Sequence, residues 1–208
     1  MKVISQSFEH QTVIPGEFAF AIQDPTNHLT LSSNKNPHLA WSDFPKETLS
    51  FAVICHDPDV PSEGDKVNQE GKVVPASLAR VDFYHWVLVN IPANIQSIEA
   101  GAHSTSITPK GKTASASPVG LAGINDYTAW FKGDAEMGGN YFGYDGPCPP
   151  WNDEIKHHYV FTVYALNVAS LPLTGAFTGS DALNAMKSHI LDQASITGIY
   201  SLNPKVSL

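Results

Sequence analysis

Short apolar runs separated by glycine- and proline-containing loops dominate this chain. Three of the runs predict core strands, at residues 49–56, 84–91 and 157–166. In the third run apolar side chains lie on both faces of the alternation, which indicates a strand buried on two sides. Residues 17–22 and 38–41 are shorter strand candidates. The pattern therefore predicts a mainly β protein with many brief strands.

A helical pattern is well developed in one segment near the C-terminus. Ser180 is a candidate N-cap, and Asp181 suits the positive end of a helix. An apolar stripe with helical spacing then continues to Ala194. We expect a helix there, ending near residues 193–194.

The segment of residues 62–83 separates two predicted core strands and is rich in charged residues and glycine. Loops of this length are uncommon in compact domains and are usually functional lids or mobile insertions. We therefore expect a mobile flap there.

The composition narrows the class of protein. The 208 residues include 42% hydrophobic positions, and neither a repeat nor a low-complexity linker divides them, so we expect one domain spanning residues 1–208. The formal net charge is −8 and Arg80 is the single arginine. Nucleic acid is therefore not an expected partner, because binding it needs a basic surface.

The location of the protein is predicted from its apolar segments and cysteines. No run is long enough for a transmembrane segment or for the core of a signal peptide, so we expect a cytoplasmic chain that begins near Met1. Cys55 and Cys148 are far apart and have no metal-ligand spacing. We expect both to be reduced thiols.

Histidines and carboxylates recur at the ends of the predicted core strands. Asp57 follows the first strand, His85 begins the second and His157 begins the third. A carboxylate on one ring nitrogen fixes a histidine and favours its cationic form, leaving the other nitrogen to donate to an anion. The sequence therefore predicts a small anion site where these strand ends meet.

Two enzymatic alternatives use the same region. Cys148 could act as a nucleophile with His157 as its base, and Asp57, His85 and His157 have the side-chain types of a metal site. Either would make the protein a hydrolase. The thiol has little support, because no predicted helix start lies beside Cys148 to lower its pKa.

Five segments of the chain together resemble the phosphatidylethanolamine-binding protein family, in its bacterial branch of Raf-kinase-inhibitor-like proteins. They are residues 36–41 (NPHLAW), 57–61 (DPDVP), 85–90 (HWVLVN), 143–150 (GYDGPCPP) and 157–166 (HHYVFTVYAL). The chain departs from the family's pattern at Asn36, Val60 and His158. Residues 62–83 and 126–140 also look longer than in the bacterial members.

This resemblance implies a fold and a function. The fold would be a β-sandwich with a Greek-key core, long loops and a C-terminal helix. The protein would be a non-enzymatic binding protein for phosphate or a phosphorylated head group, as in phosphatidylethanolamine, without a cofactor or metal. A regulatory protein partner, such as a kinase or protease, and a homodimer stay open. The ligand-binding residues implied by position are Asp57, Asp59, His85, Gly146, His157 and Tyr159.

Overall fold

Antiparallel sheets make up most of the regular structure. A computed structural model describes residues 1–208 apart from the side chain of Ala116. In chain order its strands are β1 (Lys2–Ile4), β2 (Ala21–Asp24), β3 (His28–Leu31), β4 (Leu39–Ser42), β5 (Ser50–Pro61), β6 (Arg80–Pro92), β7 (Ser97–Ile98), β8 (Leu121–Ala122), β9 (His157–Leu166) and β10 (Ile190–Tyr200). The helices are α1 (Tyr127–Trp130) and α2 (Gly179–Met186), with 3₁₀ turns at Gly16–Phe18 and Ala114–Ala116. The mainly β fold expected from the sequence is confirmed.

The three predicted core strands form the centre of the main sheet, whose strand order is β10-β9-β5-β6-β8. Strand β9 has the predicted bounds, β5 begins one residue later than predicted and continues to Pro61, and β6 extends beyond its prediction at both ends. The ladder between β5 and β6 shifts register around Asp57 and Val60. Such a bulge accommodates Pro58, which has no N–H to donate. The bulged extension carries Asp57 beside the first residues of β9.

Both faces of this sheet are buried, which explains why β5 reads as a continuous apolar run. One face presents Phe51 and Val53 to Trp41 of the sheet β1-β4-β7. The other presents Ala52 and Ile54 to the apolar side of α2. Strand β4 confirms the shorter prediction at residues 38–41.

The strand predicted at residues 17–22 is only partly correct. The chain makes a 3₁₀ turn at Gly16–Phe18, in which the Phe18 N–H donates to the Pro15 carbonyl, and β2 begins at Ala21. Phe18 and Phe20 are both buried. Phe18 and Phe20 are two positions apart, as same-face residues of a strand would be, and the turn buries both without a continuous strand.

The predicted helix ending near residue 194 is wrong in its second half. Helix α2 ends at Met186, and the chain from Ile190 onward forms β10 against β9. The cap is Thr178 rather than Ser180, because Thr178 and Asp181 exchange the two hydrogen bonds of a capping box. The apolar spacing from Ile190 to Ala194 is too short to distinguish a helix from a strand. Pairing with β9 makes this segment a strand.

The helices of the described residues are too short to span a membrane. None of these helices combines the length and the apolar composition needed to cross a bilayer.

Candidate ligand-binding site

Four of the six residues implied as ligand-binding meet at one cavity. Asp57 on β5, His85 on β6, and His157 and Tyr159 on β9 line a space of about 290 Å³. They come together because these neighbouring strands run antiparallel, so the end of β5 lies beside the starts of β6 and β9. The strand-end argument from the sequence therefore located the cavity.

Asp59 and Gly146 lie beside the cavity rather than on its wall. One oxygen of Asp59 accepts hydrogen bonds from the His158 backbone N–H (2.8 Å) and ring Nδ1 (2.7 Å). Gly146 is packed so closely that a Cβ there would lie 2.2 Å from the Phe18 carbonyl oxygen. In this structure both residues support the walls.

His157 is held between two carboxylates. Its Nδ1 lies 2.7 Å from Asp57 Oδ2 and its Nε2 lies 3.2 Å from Asp153 Oδ2. Burial alone would lower the pKa of His157, but the two carboxylates raise it to about 9. The ring is therefore cationic at neutral pH. The expected free ring nitrogen is wrong for His157, since its second nitrogen faces Asp153.

Asp153 is a site-supporting residue that the sequence reasoning missed. The two terminal guanidinium nitrogens of Arg80 donate to its carboxylate, at 2.6 Å and 3.0 Å, while its Oδ2 also faces His157. Burial opposes its ionisation, but these partners hold the pKa of Asp153 below its usual value. Asp57, His157, Asp153 and Arg80 thus form a row of alternating charges. The available signals were the single arginine and the four-residue spacing of Asp153 and His157.

His85 is fixed differently, by the main chain. Its Nδ1 lies 2.8 Å from the Asp145 carbonyl oxygen, which can only accept, so Nδ1 carries the proton. Burial lowers the pKa of His85, although Asp57 and Asp145 oppose this effect. The ring is therefore neutral at pH 7, and Nε2 is a hydrogen-bond acceptor.

Asp145 was also missed as a supporting residue, although it lies within the quoted segment 143–150. Its buried carboxylate receives hydrogen bonds from Asn34 (2.7 Å), Asn125 (2.9 Å) and Lys112 (2.8 Å). These contacts fix the loop whose carbonyl orients His85.

The hydroxyl of Tyr159 is the least satisfied polar group of the cavity. It is fully buried and makes no hydrogen bond of good geometry to any residue that the structure describes, although the Asp57 carboxylate lies close enough to interact with it. Burial keeps the pKa of Tyr159 well above its usual value, so the phenol is protonated. Both oxygens of Asp57, by contrast, have partners, in His157 and the Asp59 N–H. Tyr159 O–H and His85 Nε2 are therefore the groups left for a ligand.

The rest of the cavity wall is mostly apolar, and the two long loops supply part of it. The segment 62–83 contributes Gly64, Val67, Asn68 and Phe83, and the segment 126–140 contributes Tyr127, Trp130 and Phe131. The cavity is completed by Phe20, Leu29, Leu31, Val60, Pro61, Cys148, Pro149 and Pro150.

The segment 62–83 is attached to the rest of the protein through the side chain of Asn152. Its last residues belong to β6, and its turns surround the side chain of Asn152. The amide of Asn152 donates to the carbonyl oxygens of Lys66 (2.8 Å) and Lys72 (3.2 Å), and its oxygen accepts from the Asn68 N–H (3.0 Å). These hydrogen bonds join the loop to the segment that follows the cavity-lining Pro149 and Pro150, and its mobility stays a prediction.

The groups needed by the hydrolase alternatives are poorly placed. Both cysteines are free, as expected, but burial raises the pKa of Cys148 to about 12, so its reactive thiolate is scarce. Over the described part of the chain, no three His, Cys, Asp or Glu side chains are arranged to hold a metal ion.

Comparisons with known proteins agree with this geometry. The family model described as phosphatidylethanolamine-binding protein matches residues 4–201. A UPF0098 protein of Methanothermobacter thermautotrophicus is 31% identical over 176 residues, covering 85% of this chain and 89% of the relative. The UPF0098 protein YbhB of Escherichia coli is 31% identical over 168 residues, covering 81% of this chain and 82% of YbhB.

Solved structures show the same fold. The crystal structure of E. coli YbcL, described as a new member of the mammalian PEBP family, superimposes with a TM-score of 0.68 at 25% identity, covering 96% of this chain and 97% of YbcL. A putative phosphatidylethanolamine-binding protein homologue of Chlamydia trachomatis gives a TM-score of 0.65 at 25% identity, over 96% of both chains. This chain belongs to the phosphatidylethanolamine-binding protein family, in the branch that contains YbhB and YbcL.

Proposed function

We propose that the protein is a non-enzymatic binding protein whose cavity takes the phosphate group of a small ligand. The observation that carries this proposal is the buried hydroxyl of Tyr159, a residue that lines the cavity, which makes no well-formed hydrogen bond to the described protein. A buried donor left unsatisfied costs about 1–3 kcal/mol, so a ligand that accepts its hydrogen bond relieves a real penalty.

The second polar group of the cavity complements the first. A phosphate group has oxygens that accept from Tyr159 and, when it carries a proton, an O–H that donates to the neutral His85 Nε2. The dianion can bind in the same way if His85 takes up a proton as the negative charge approaches. Asp57, His157, Asp153 and Arg80 hold the surrounding strands rather than the anion itself.

Catalysis has less support than binding. The cavity wall contains a buried thiol, that of Cys148, whose pKa is about 12, and the base assigned to it, His157, already faces carboxylates through both ring nitrogens. An acyl- or phosphoryl-transfer enzyme needs an activated nucleophile within reach of a free base. Neither requirement is met by these two residues.

The test is isothermal titration calorimetry with inorganic phosphate and O-phosphorylethanolamine. We expect both to bind the wild type, and Tyr159→Phe to weaken binding about fivefold to tenfold, the usual worth of one hydrogen bond. Tyr200→Phe is the matched control, because the Tyr200 hydroxyl donates to the Ala21 carbonyl instead. Absence of binding, or equal affinity in the wild type and Tyr159→Phe, would contradict the proposal.

Three expectations from the sequence stay predictions alongside this function. They are a cytoplasmic location, a regulatory protein partner and a homodimer. The cavity argument depends on none of them, because every group that it uses lies within one chain.

A further inference from the structure

One side of the ligand cavity is an aromatic wall. The rings of Phe20 and Phe131 both pack against Tyr127, with ring centroids 4.7 Å and 5.7 Å away, and lie 6.1 Å from each other. Phe83 meets Tyr127 edge-on at 5.3 Å. These rings brace one another, so the wall keeps its shape and presents apolar surface to whatever occupies the cavity.

The wall continues to the mouth of the cavity. Trp130 is 52% exposed and Leu31 is 60% exposed, and both line the cavity. Large apolar side chains left in water at a cavity rim gain free energy when a ligand covers them.

Charge recognition is confined to the polar end of the cavity. Among the lining residues that the structure describes there is no lysine or arginine, and the one carboxylate, Asp57, is paired with His157. A second charged group on the ligand would therefore meet no free partner. The wall offers a cationic group only the faces of its rings, whereas an uncharged group gains from burying apolar surface on all of it.

We propose that the ligand is a small phosphate monoester whose ester group is an uncharged aromatic or branched aliphatic group. The phosphate end rests on the function proposed above, and the ester group packs on Tyr127, Phe131 and Trp130. A cavity of about 290 Å³ holds such a molecule but not the two acyl chains of a phospholipid. The segment 126–140, which supplies Tyr127, Trp130 and Phe131, thereby sets the ligand class.

Calorimetry with a graded series tests this proposal. The probes are inorganic phosphate, phenyl phosphate, 3,3-dimethylbutyl phosphate and phosphocholine, the last two being of equal shape but differing by one positive charge. We expect phenyl phosphate and 3,3-dimethylbutyl phosphate to bind about tenfold or more tightly than inorganic phosphate, since each buries an apolar group. Phosphocholine should bind more weakly than its uncharged counterpart.

A substitution of Trp130 tests whether the extra affinity of phenyl phosphate comes from the aromatic wall. Trp130→Ala should weaken phenyl phosphate about threefold or more and leave inorganic phosphate unchanged. Because Trp130 is largely exposed, this variant should fold normally. Leu49→Ala is the matched control, an exposed apolar residue just before β5, at the opposite end of that strand from Asp57.

The outcomes separate this inference from the proposed function. Equal affinity for phenyl phosphate and inorganic phosphate would overturn the inference and leave phosphate binding intact. Tighter binding of phosphocholine than of 3,3-dimethylbutyl phosphate would show that the wall binds an ammonium group, and this result would also overturn the inference. Binding to phosphatidylethanolamine vesicles without binding of any soluble ester would do the same. Failure of every phosphate probe would overturn the proposed function, and this inference with it.

Discussion

Asp145 and His85 are joined by two hydrogen bonds that both use the Asp145 backbone. The Asp145 N–H donates to the His85 carbonyl oxygen at 3.0 Å, and the Asp145 carbonyl oxygen accepts from His85 Nδ1 at 2.8 Å. The second bond fixes the tautomer of the ring, because a carbonyl can only accept. Nε2 is consequently the one nitrogen of His85 that can exchange a proton with a ligand.

Phosphate binding should therefore be accompanied by proton uptake. Burial holds the pKa of His85 below 6.5 in the free protein, and an approaching phosphate dianion raises it. At about pH 8, titrations in buffers of different ionisation enthalpy should report an uptake of about one proton. His85→Gln should abolish this uptake, and His189→Gln, which alters a histidine paired with Asn167, should not. Identical enthalpies in all buffers would contradict the prediction.

The stability of the fold should decline on the alkaline side. The pKa of His157 is raised from 6.5 to about 9, so its contribution to the free energy of unfolding is complete below 6.5 and is lost as pH rises through 9. The shift corresponds to about 3 kcal/mol. Urea unfolding at about pH 6, 8 and 10 should show this decline, and the decline should be absent in His157→Gln.

Two adjacent histidines should differ strongly in their effect on stability. His157→Gln leaves Asp57 and Asp153 buried without their shared cation, so we expect a loss of about 3–5 kcal/mol in the free energy of unfolding. His158, which is 34% exposed and paired with Asp59, should cost less than about 1 kcal/mol when changed to Gln. Equal losses in the two variants, measured by urea unfolding, would show that the buried row of charges adds little.

Cys148 should behave as an inert thiol. Because its pKa is raised to about 12, alkylation by iodoacetamide at about pH 8 should be at least about a hundredfold slower than that of free cysteine. Mass spectrometry of the labelled peptides separates Cys148 from the buried Cys55. Cys148→Ser should keep the affinity for phosphate, and ester and phosphoester substrates should not turn over. Rapid labelling, or turnover that disappears in Cys148→Ser, would instead favour the hydrolase.

The loop before β6 should be held by the side chain of Asn152. Removing this side chain in Asn152→Ala deletes its hydrogen bonds to Lys66, Asn68 and Lys72. We expect amide hydrogen exchange in residues 66–74 to accelerate about tenfold or more. Glu63→Ala, an exposed change in the same loop, should leave it unaltered. Fast exchange of these amides in the wild type would support the mobile flap predicted from the sequence.

Much of the polar end of the cavity could be predicted from the sequence. Asp57, His85, His157 and Tyr159 stand at the ends of strongly apolar runs, and runs of that kind form central strands whose ends meet. The local pattern of apolar side chains is sufficient to predict these strands and their ends, because a central strand needs apolar side chains along its own length. The segments around these residues, which resemble those of the phosphatidylethanolamine-binding protein family, also predicted the family.

The chemical state of those residues was decided by tertiary structure alone. Whether His157 is cationic depends on Asp57 and Asp153, which reach it only after folding, and His85 is neutral because the packed core removes its water. The same holds for β10, where pairing with β9 overrides a helical spacing. Burial, charge neighbours and strand partners are long-range properties, so the local sequence located the site and the complete fold determined its chemistry.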